Sequence, residues 1–198
     1  MTPKTFIIMG HSGSGKGTQA KLLREYIEKN DANKQDILYI ETGARFRDFI
    51  EQPGYTNLIS KGIMTEGGRQ PDFVAIWNWA DVLVRDMKEN IHLMFDGVAR
   101  SLPEAQALDT AIGFYGREST YVLYLKISPE GAKTRAELRG RKYDTKPGEA
   151  EAKLKWFNEK VVPSIDFFRN SPRYKFLEID GEQDIEKVHE QIITSIQW

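Results

Sequence analysis

Cysteine is absent from the 198-residue chain, which excludes both a disulfide framework and a cysteine-ligated zinc site. An excess of charge of either sign is missing too. The 28 basic residues face 29 acidic ones, a formal net charge of −1 that gives no general attraction to nucleic acid or to a membrane surface. Any anion-binding power must therefore come from local clusters of basic side chains. Long hydrophobic runs are lacking: the first, Phe6-Ile7-Ile8-Met9, stops at Gly10, too short for a signal-peptide core or a membrane span. The expected location is the cytoplasm. Histidine is scarce and scattered (His11, His92, His189), and no Ser-His-Asp or metal-ligand grouping is evident. No repeat, low-complexity stretch or linker divides the chain, whose length suits one sizeable core with small inserts.

What is present is an alternation of two patterns. Thr5–Met9, Ile37–Ile40, His92–Phe95, Tyr121–Ile127 and Lys175–Ile179 are short β-type runs. They are apolar throughout rather than alternating, as in strands covered on both faces. Between them lie helical stretches. Leu22, Leu23, Tyr26 and Ile27 make one face of the first, and Ile185, Val188, Ile192 and Ile196 one face of the last. Leu154, Phe157, Val161, Ile165 and Phe168 keep helical spacing across Pro163, which should kink that helix. Strand, helix, strand, repeated, predicts an α/β fold with a parallel sheet, right-handed crossovers and helices on both faces. Ligands on such sheets bind beyond the carboxyl ends of the strands. Residues 41–70 and 140–148, rich in Gly and charge, fit the alternation poorly and are expected to be inserts over the site. Within the apolar helix Phe73–Met87, Trp77 and Trp79 cannot share a face, and Trp77 is expected in the core.

The strongest local signal is Gly10-His11-Ser12-Gly13-Ser14-Gly15-Lys16-Gly17-Thr18, between the first strand and the first amphipathic helix. Glycines let successive N–H groups turn toward phosphate oxygens, the helix N-terminus adds positive potential, and Lys16 reaches the outer phosphates. Gly17 stands where most such loops carry Ser or Thr, and the hydroxyl follows at Thr18.

The string Gly-Lys-Gly-Thr-Gln resembles the adenylate kinase family, and the likeness runs through essentially the whole chain. Thr42-Gly43-Ala44-Arg45-Phe46-Arg47 is similar to the family's Thr-Gly-Asp-x-x-Arg, with Ala44 in place of the Asp. The segment Gly62–Asp72 is similar to the acceptor-pocket segment, with Arg69-Gln70 where Leu-Val is usual. Asp96-Gly97-Val98-Ala99-Arg100 resembles Asp-Gly-Phe-Pro-Arg, and Arg135-Ala136-Glu137-Leu138-Arg139-Gly140-Arg141 the basic stretch bordering the lid. The resemblance implies a three-layer P-loop NTPase fold with a central five-stranded parallel sheet. Residues 41–70 would be the small helical insert for the nucleoside monophosphate (NMP), and 140–148 a short lid without zinc. It implies an ATP grip of Gly13, Ser14, Gly15, Lys16, Gly17, Thr18, Arg135 and Arg139. Thr42, Gly43, Arg47, Met64, Gly68, Gln70, Gly97, Arg100 and Glu104 would hold the acceptor. Lys16, Arg100, Arg139, Arg141 and Lys153, the last where an Arg is usual, would stabilise the transferred phosphoryl group, and Asp96 would hold Mg²⁺ through water. The implied partners are ATP and a nucleoside monophosphate, handled by a monomer.

The excess of Arg over nucleophiles suits phosphoryl transfer, which needs donor and acceptor held in line and charge neutralised rather than covalent help. AMP is the favoured acceptor, although the family's base-reading Gln is replaced by Glu104. A Gln amide matches both the amino donor and the N1 acceptor of adenine, whereas a carboxylate suits the two donors of guanine. Ser101-Leu102-Pro103-Glu104 is also a Ser-x-x-Glu capping box, in which Glu104 would serve the backbone instead. A kinase for GMP, UMP/CMP or a metabolite, and a nucleotide-binding module without turnover, stay open.

Overall fold

Strand β1 (Thr5–Gly10) is wholly buried except at its last residue, and the rest of the sheet is laid out from it. The computed structural model describes residues 2–117, 119–139 and 149–198. Among them β2 (Ile37–Glu41), β3 (His92–Asp96), β4 (Thr120–Lys126) and β5 (Tyr174–Asp180) join β1 in a five-stranded sheet of order β2-β3-β1-β4-β5. Every pairing is parallel, with Ile8 opposite both Asp96 and Leu123. The strands expected from the apolar runs are all present, each within one residue at either end.

Because side chains alternate across a strand, β1 feeds two cores. Ile7 and Met9 point into one, built with Trp79, Phe95, Leu108, Ile165 and Phe168 from α4 (Asp72–Asp86), β3, α5 (Leu102–Phe114) and α8 (Val162–Arg169). Phe6 and Ile8 point into the other, built with Leu23 and Ile27 of α1 (Lys16–Asn30) and Val188 and Ile192 of α9 (Ile185–Ser195). Between β2 and α4 stand α2 (Thr42–Phe49) and α3 (Tyr55–Thr65), and α6 (Pro129–Arg139) follows β4. The segment expected to form a short lid, 140–148, lies outside the described residues. No helix of the described residues is long and apolar enough to cross a membrane.

Three local expectations are corrected. Trp79, not Trp77, is the core tryptophan: it is 2% exposed and meets Phe95 edge-on, whereas Trp77 is 45% exposed beside Phe49. The two are about 200° apart on the helix, and the sheet lies on the side of Trp79. The disturbance expected at Pro163 falls just before it, as a wide π-type turn over Phe157–Val161 between α7 (Glu149–Trp156) and α8. Proline cannot donate to the ladder and crowds the carbonyl four residues back, so the register opens there. In α9, Ile185 is exposed at the first turn while Val188, Ile192 and Ile196 carry the buried face.

Trp79→Ala should therefore destabilise the fold by about 3–5 kcal/mol, and Trp77→Ala by about 1 kcal/mol or less. Urea midpoints of the two variants check this, and equal losses would contradict the assignment.

Candidate active site

The glycine loop leaves β1 at Gly10 (φ 144°) and enters α1 through Gly15, a left-handed residue (φ 91°) at the helix start. A Cβ at Gly10 would stand 2.6 Å from the Leu125 carbonyl oxygen and 2.7 Å from Ser14 Oγ, so only glycine lets the loop close against β4. Gly13 is also left-handed, and the Ser14 N–H donates to the His11 carbonyl (3.1 Å). Ser14 Oγ is buried without a hydrogen-bond partner among the described residues. Lys16 Nζ donates to the carbonyls of Gly10 (2.9 Å) and His11 (2.6 Å), which holds the ammonium across the mouth of its own loop. Gly17 and Thr18 are exposed on the first turn of α1.

Asp96 ends β3 beside this loop. It is buried, and a Cβ on Gly17 would lie 3.6 Å from its Oδ2. The Tyr39 hydroxyl donates to the same oxygen (3.0 Å). Burial pushes the Asp96 carboxyl up, against the pull of Lys16 and the Tyr39 hydrogen bond. Burial and the Asp96 charge push the Tyr39 phenol well above its usual range, so it stays a donor. Tyr39 was not among the expected site residues. The pattern of β2 marks it only as one more apolar position, and its partner is 57 residues away.

The acceptor-type residues gather on the next turn of chain. Thr42 Oγ1 donates to the Gly97 carbonyl (2.8 Å), which brings together two motifs that are far apart in sequence. Gly97 (φ 72°) and Ala99 (φ 59°) are both left-handed, and the Ala99 carbonyl accepts a short hydrogen bond from Ser164 Oγ. Glu104 is 3% exposed. Its Oε2 accepts the N–H of Arg100 at 2.7 Å, and the backbone of Ala99 also bonds to it. Its own N–H donates to Ser101 Oγ (3.3 Å), which donates in turn to Asp72 Oδ1 (2.6 Å). The capping alternative is thus the geometry adopted, except that the carboxylate serves Arg100 and Ala99 rather than Ser101. Burial raises the Glu104 carboxyl, against those backbone bonds and the Arg100 charge.

Arg47 Nη2 pairs with Glu41 Oε1 (3.2 Å), and a Cβ on Gly43 would stand 3.4 Å from the same guanidinium. Met64 is half-buried near the end of α3, and Gly68 is exposed beyond it. Gln70 Nε2 donates to the Ser60 carbonyl (2.9 Å), while its Oε1 is buried without a partner among the described residues.

On the opposite side, Arg135 of α6 donates to the carbonyls of Gly181 (2.6 Å) and Glu182 (3.3 Å) after β5. Arg139 ends α6. Its side chain and the whole of Arg141 lie outside the described residues. Lys153 is half-buried on α7. Two aromatic residues that the motifs did not single out follow it. Trp156 faces the guanidiniums of Arg69 and Arg100, and Phe157 stacks on His11 with ring centroids 3.5 Å apart. Burial and then the Lys16 charge lower the His11 pKa to about 4. The imidazole is therefore neutral near pH 7 and adds no positive charge to the loop.

A glycine loop between strand and helix, a lysine across its mouth and a buried aspartate on the neighbouring strand define a P-loop nucleotide-binding protein. Residues 9–151 match a family model described as an AAA domain, and the chain belongs to that family. Among curated relatives, the adenylate kinase of Flavobacterium psychrophilum is 28% identical over 198 residues, covering 96% of this chain and 98% of its own. That of Phocaeicola vulgatus is 29% identical, covering 90% and 91%, and that of Parvibaculum lavamentivorans 27% identical, covering 95% and 89%. The resemblance to adenylate kinases is borne out.

The His11 stack carries a pH dependence. The unfolded ring takes its proton near pH 6.5 and the folded one only near 4. The unfolded chain therefore binds more protons between those values, and the stack's contribution is whole above the upper value and falls as the pH drops toward the lower. In His11→Asn the decline in melting temperature across that window should be smaller than in the parent. Parallel declines would show that the ring titrates normally.

Proposed function

We propose that this protein is a nucleoside-monophosphate kinase that moves the terminal phosphoryl group of ATP onto AMP, reversibly, to give two ADP. The observation that carries the proposal is the adjacency of two anion grips. Asp96 stands against the first turn of α1, one residue later Gly97 is bound to Thr42, and Arg100 follows on the same loop. Donor and acceptor phosphates held there would meet across the end of β3, with their entropy of approach already lost on binding.

On the donor side, the N–H groups from Gly13 to Thr18 would cradle the phosphates and Lys16 would exchange two neutral carbonyls for phosphate oxygens. Arg135 would lie along the donor base, while Arg139, Arg141 and Lys153 would meet the transferred group. On the acceptor side, Arg47 and Arg100 would grip the monophosphate, and Thr42, Gly43, Met64, Gly68, Gln70 and Gly97 would line the nucleoside. The Arg fork suits bidentate contact with phosphate. Segment 41–70 serves as the acceptor insert and 140–148 as a short lid of a single kinase domain. The charge-balanced composition gives no general attraction to nucleic acid or to a membrane, and the protein is read as cytoplasmic and, on the family resemblance, as a monomer.

Magnesium fits the residues present. A buried carboxylate beside Lys16, completed by phosphate oxygens and waters, is the donor set this reluctantly dehydrated ion takes. Asp96 would hold it, and bound there it would neutralise charge on the phosphate oxygens. Gly17 offers no hydroxyl for it.

Adenine is the acceptor base that the geometry supports best. The Glu104 carboxylate, which would have suited guanine, is engaged by the backbone of Arg100 and Ala99. The orphan Oε1 of Gln70 lacks a donor of the kind that the adenine amino group supplies.

A coupled ADP-formation assay with AMP, GMP, CMP and UMP tests the proposal. AMP should be preferred, and Gln70→Leu should raise the KM for AMP roughly tenfold. Glu104→Gln should not tighten AMP and should lower stability by about 1–3 kcal/mol. Lys16→Ala and Arg100→Ala should each cost orders of magnitude, roughly 100-fold or more, in turnover without unfolding the protein. A parent preferring GMP would overturn the acceptor assignment, and full activity in either alanine variant would remove that residue from the mechanism.

Tyr39→Phe supplies a separate check. Its hydroxyl lowers the Asp96 pKa, so its loss lets burial raise that carboxyl further. The acid limb of the kcat/KM profile should then move to higher pH, and an unmoved limb would show that Asp96 does not set it.

A further inference from the structure

Two consecutive side chains tie the end of α7 to both halves of the site. Trp156 holds the guanidinium carbons of Arg69 and Arg100 at 4.3 and 5.1 Å from its ring centroid. Phe157 stacks on His11 of the glycine loop. Neighbouring helical residues diverge by about 100°, so one turn can serve the acceptor side with one residue and the donor side with the next.

We propose that Trp156 is a positioning residue for the acceptor phosphate: its indole orients the Arg100 guanidinium and, through Arg69, fastens the end of the acceptor insert to the same point. This rests on the kinase reading above. The chemistry favours an aromatic holder. A guanidinium held by a carboxylate spends its N–H donors on that partner, whereas one held against a π face keeps its in-plane donors for a bidentate phosphate contact. Glu104, a buried carboxylate that acts on Arg100, spends an oxygen on the Arg100 N–H. The arrangement also gathers two cations within 5.1 Å of one centroid. An arriving phosphate would meet both guanidiniums at one point, so AMP and the Trp156 cluster should reinforce each other. Arg69 lies one residue before Gln70, whose amide is anchored to Ser60 of α3. Insert and phosphate grip thus meet at Trp156.

Trp156 also packs against the core, and simple packing is the competing account. Trp156→Leu keeps bulk without a π face, and Trp156→Phe keeps a π face. Both are compared with the parent at a temperature where circular dichroism shows all to be folded. The readouts are AMP affinity by calorimetry and steady-state KM and kcat for AMP and ATP. The leucine variant should weaken AMP binding and raise its KM by roughly tenfold, leave the KM for ATP within about twofold, and be largely rescued by phenylalanine. Arg69→Leu should weaken AMP less, and its effect should shrink when Trp156→Leu is already present. Should the leucine variant fail to fold, Trp156→Met, which also lacks a π face, carries the test with Arg69→Leu through the same coupling. Parent-like AMP binding in folded Trp156→Leu, equal impairment by Leu and Phe, or simple multiplication of the two effects would overturn the positioning role. A parent that binds AMP but makes no ADP would sink the kinase reading alone, and one that does neither would sink both.

Discussion

Ile8 of β1 lies opposite Asp96 of β3 in a parallel ladder, and that single alignment sets the geometry of the site. β1 runs on for two residues into the glycine loop, while β3 ends at the aspartate. The Gly97 N–H reaches back to the Ile8 carbonyl at 3.5 Å. Lysine loop and aspartate loop therefore open at the same level of the sheet, at the point where the strand order reverses. A slip of one residue would turn Asp96 to the other face and exchange the two cores fed by β1. The far end of the sheet is pinned against such a slip. Buried Arg117 donates to Thr5 Oγ1 (2.9 Å) and to the carbonyls of Lys4 and Ile91, which ties the starts of β1 and β3 to the approach of β4. Because β1, β3 and β4 are buried on both faces, their register is specified twice over.

That double burial is also why the fold was legible in the sequence. Strands such as Leu93-Met94-Phe95 are apolar at every position, and each is followed by a helical pattern, so parallel pairing with crossovers was the consistent solution. The glycine loop was legible for a different reason: its chemistry is carried by backbone groups and one lysine, all within nine consecutive residues. Contacts made between distant elements were harder to read. Nothing local distinguishes Tyr39, which reaches Asp96, from the apolar neighbours that complete β2. Trp156 looks like one more apolar position on a helix, and Trp77 looked more central than Trp79 because periodicity alone does not say on which side the sheet lies. Glu104 shows the same limit. A capping box was visible, but the donors that it serves are set by the left-handed turn at Gly97 and Ala99, which the sequence pattern does not reveal.

Strain and charge are concentrated on that turn, and the surroundings hold both. Ala99 takes a positive φ that costs a non-glycine residue of order 1 kcal/mol, and Ser164 and Glu104 close on it from α8 and α5. Both carboxylates at the site have their pKa raised by burial, and both face cations that restrain the rise: Lys16 and Arg100 for Asp96, Arg100 for Glu104. Arg100 is thus balanced between two buried acids, neither of which takes its guanidinium as a close ion pair among the described contacts.

The partners of the remaining cations differ in the same sense. Arg45 donates to the Asn78 carbonyl (2.7 Å) and pairs with Asp81, a contact that joins α2 to α4. Arg47, two residues on, is paired with Glu41 across a surface where its side chain is 42% exposed. Such a pair is worth about 0–1 kcal/mol, so exchanging it for a phosphate carrying more charge is favourable. Lys16 donates to two backbone carbonyls and faces the Asp96 carboxylate. On the kinase reading proposed above, Arg47 and Lys16 would give up contacts of this kind for phosphate. Arg117, by contrast, is buried among backbone carbonyls and Thr5. The contrast lies in place rather than in partner type: Arg47 pairs at the surface near the Gly97 turn, whereas Arg117 is buried at the far end of the sheet.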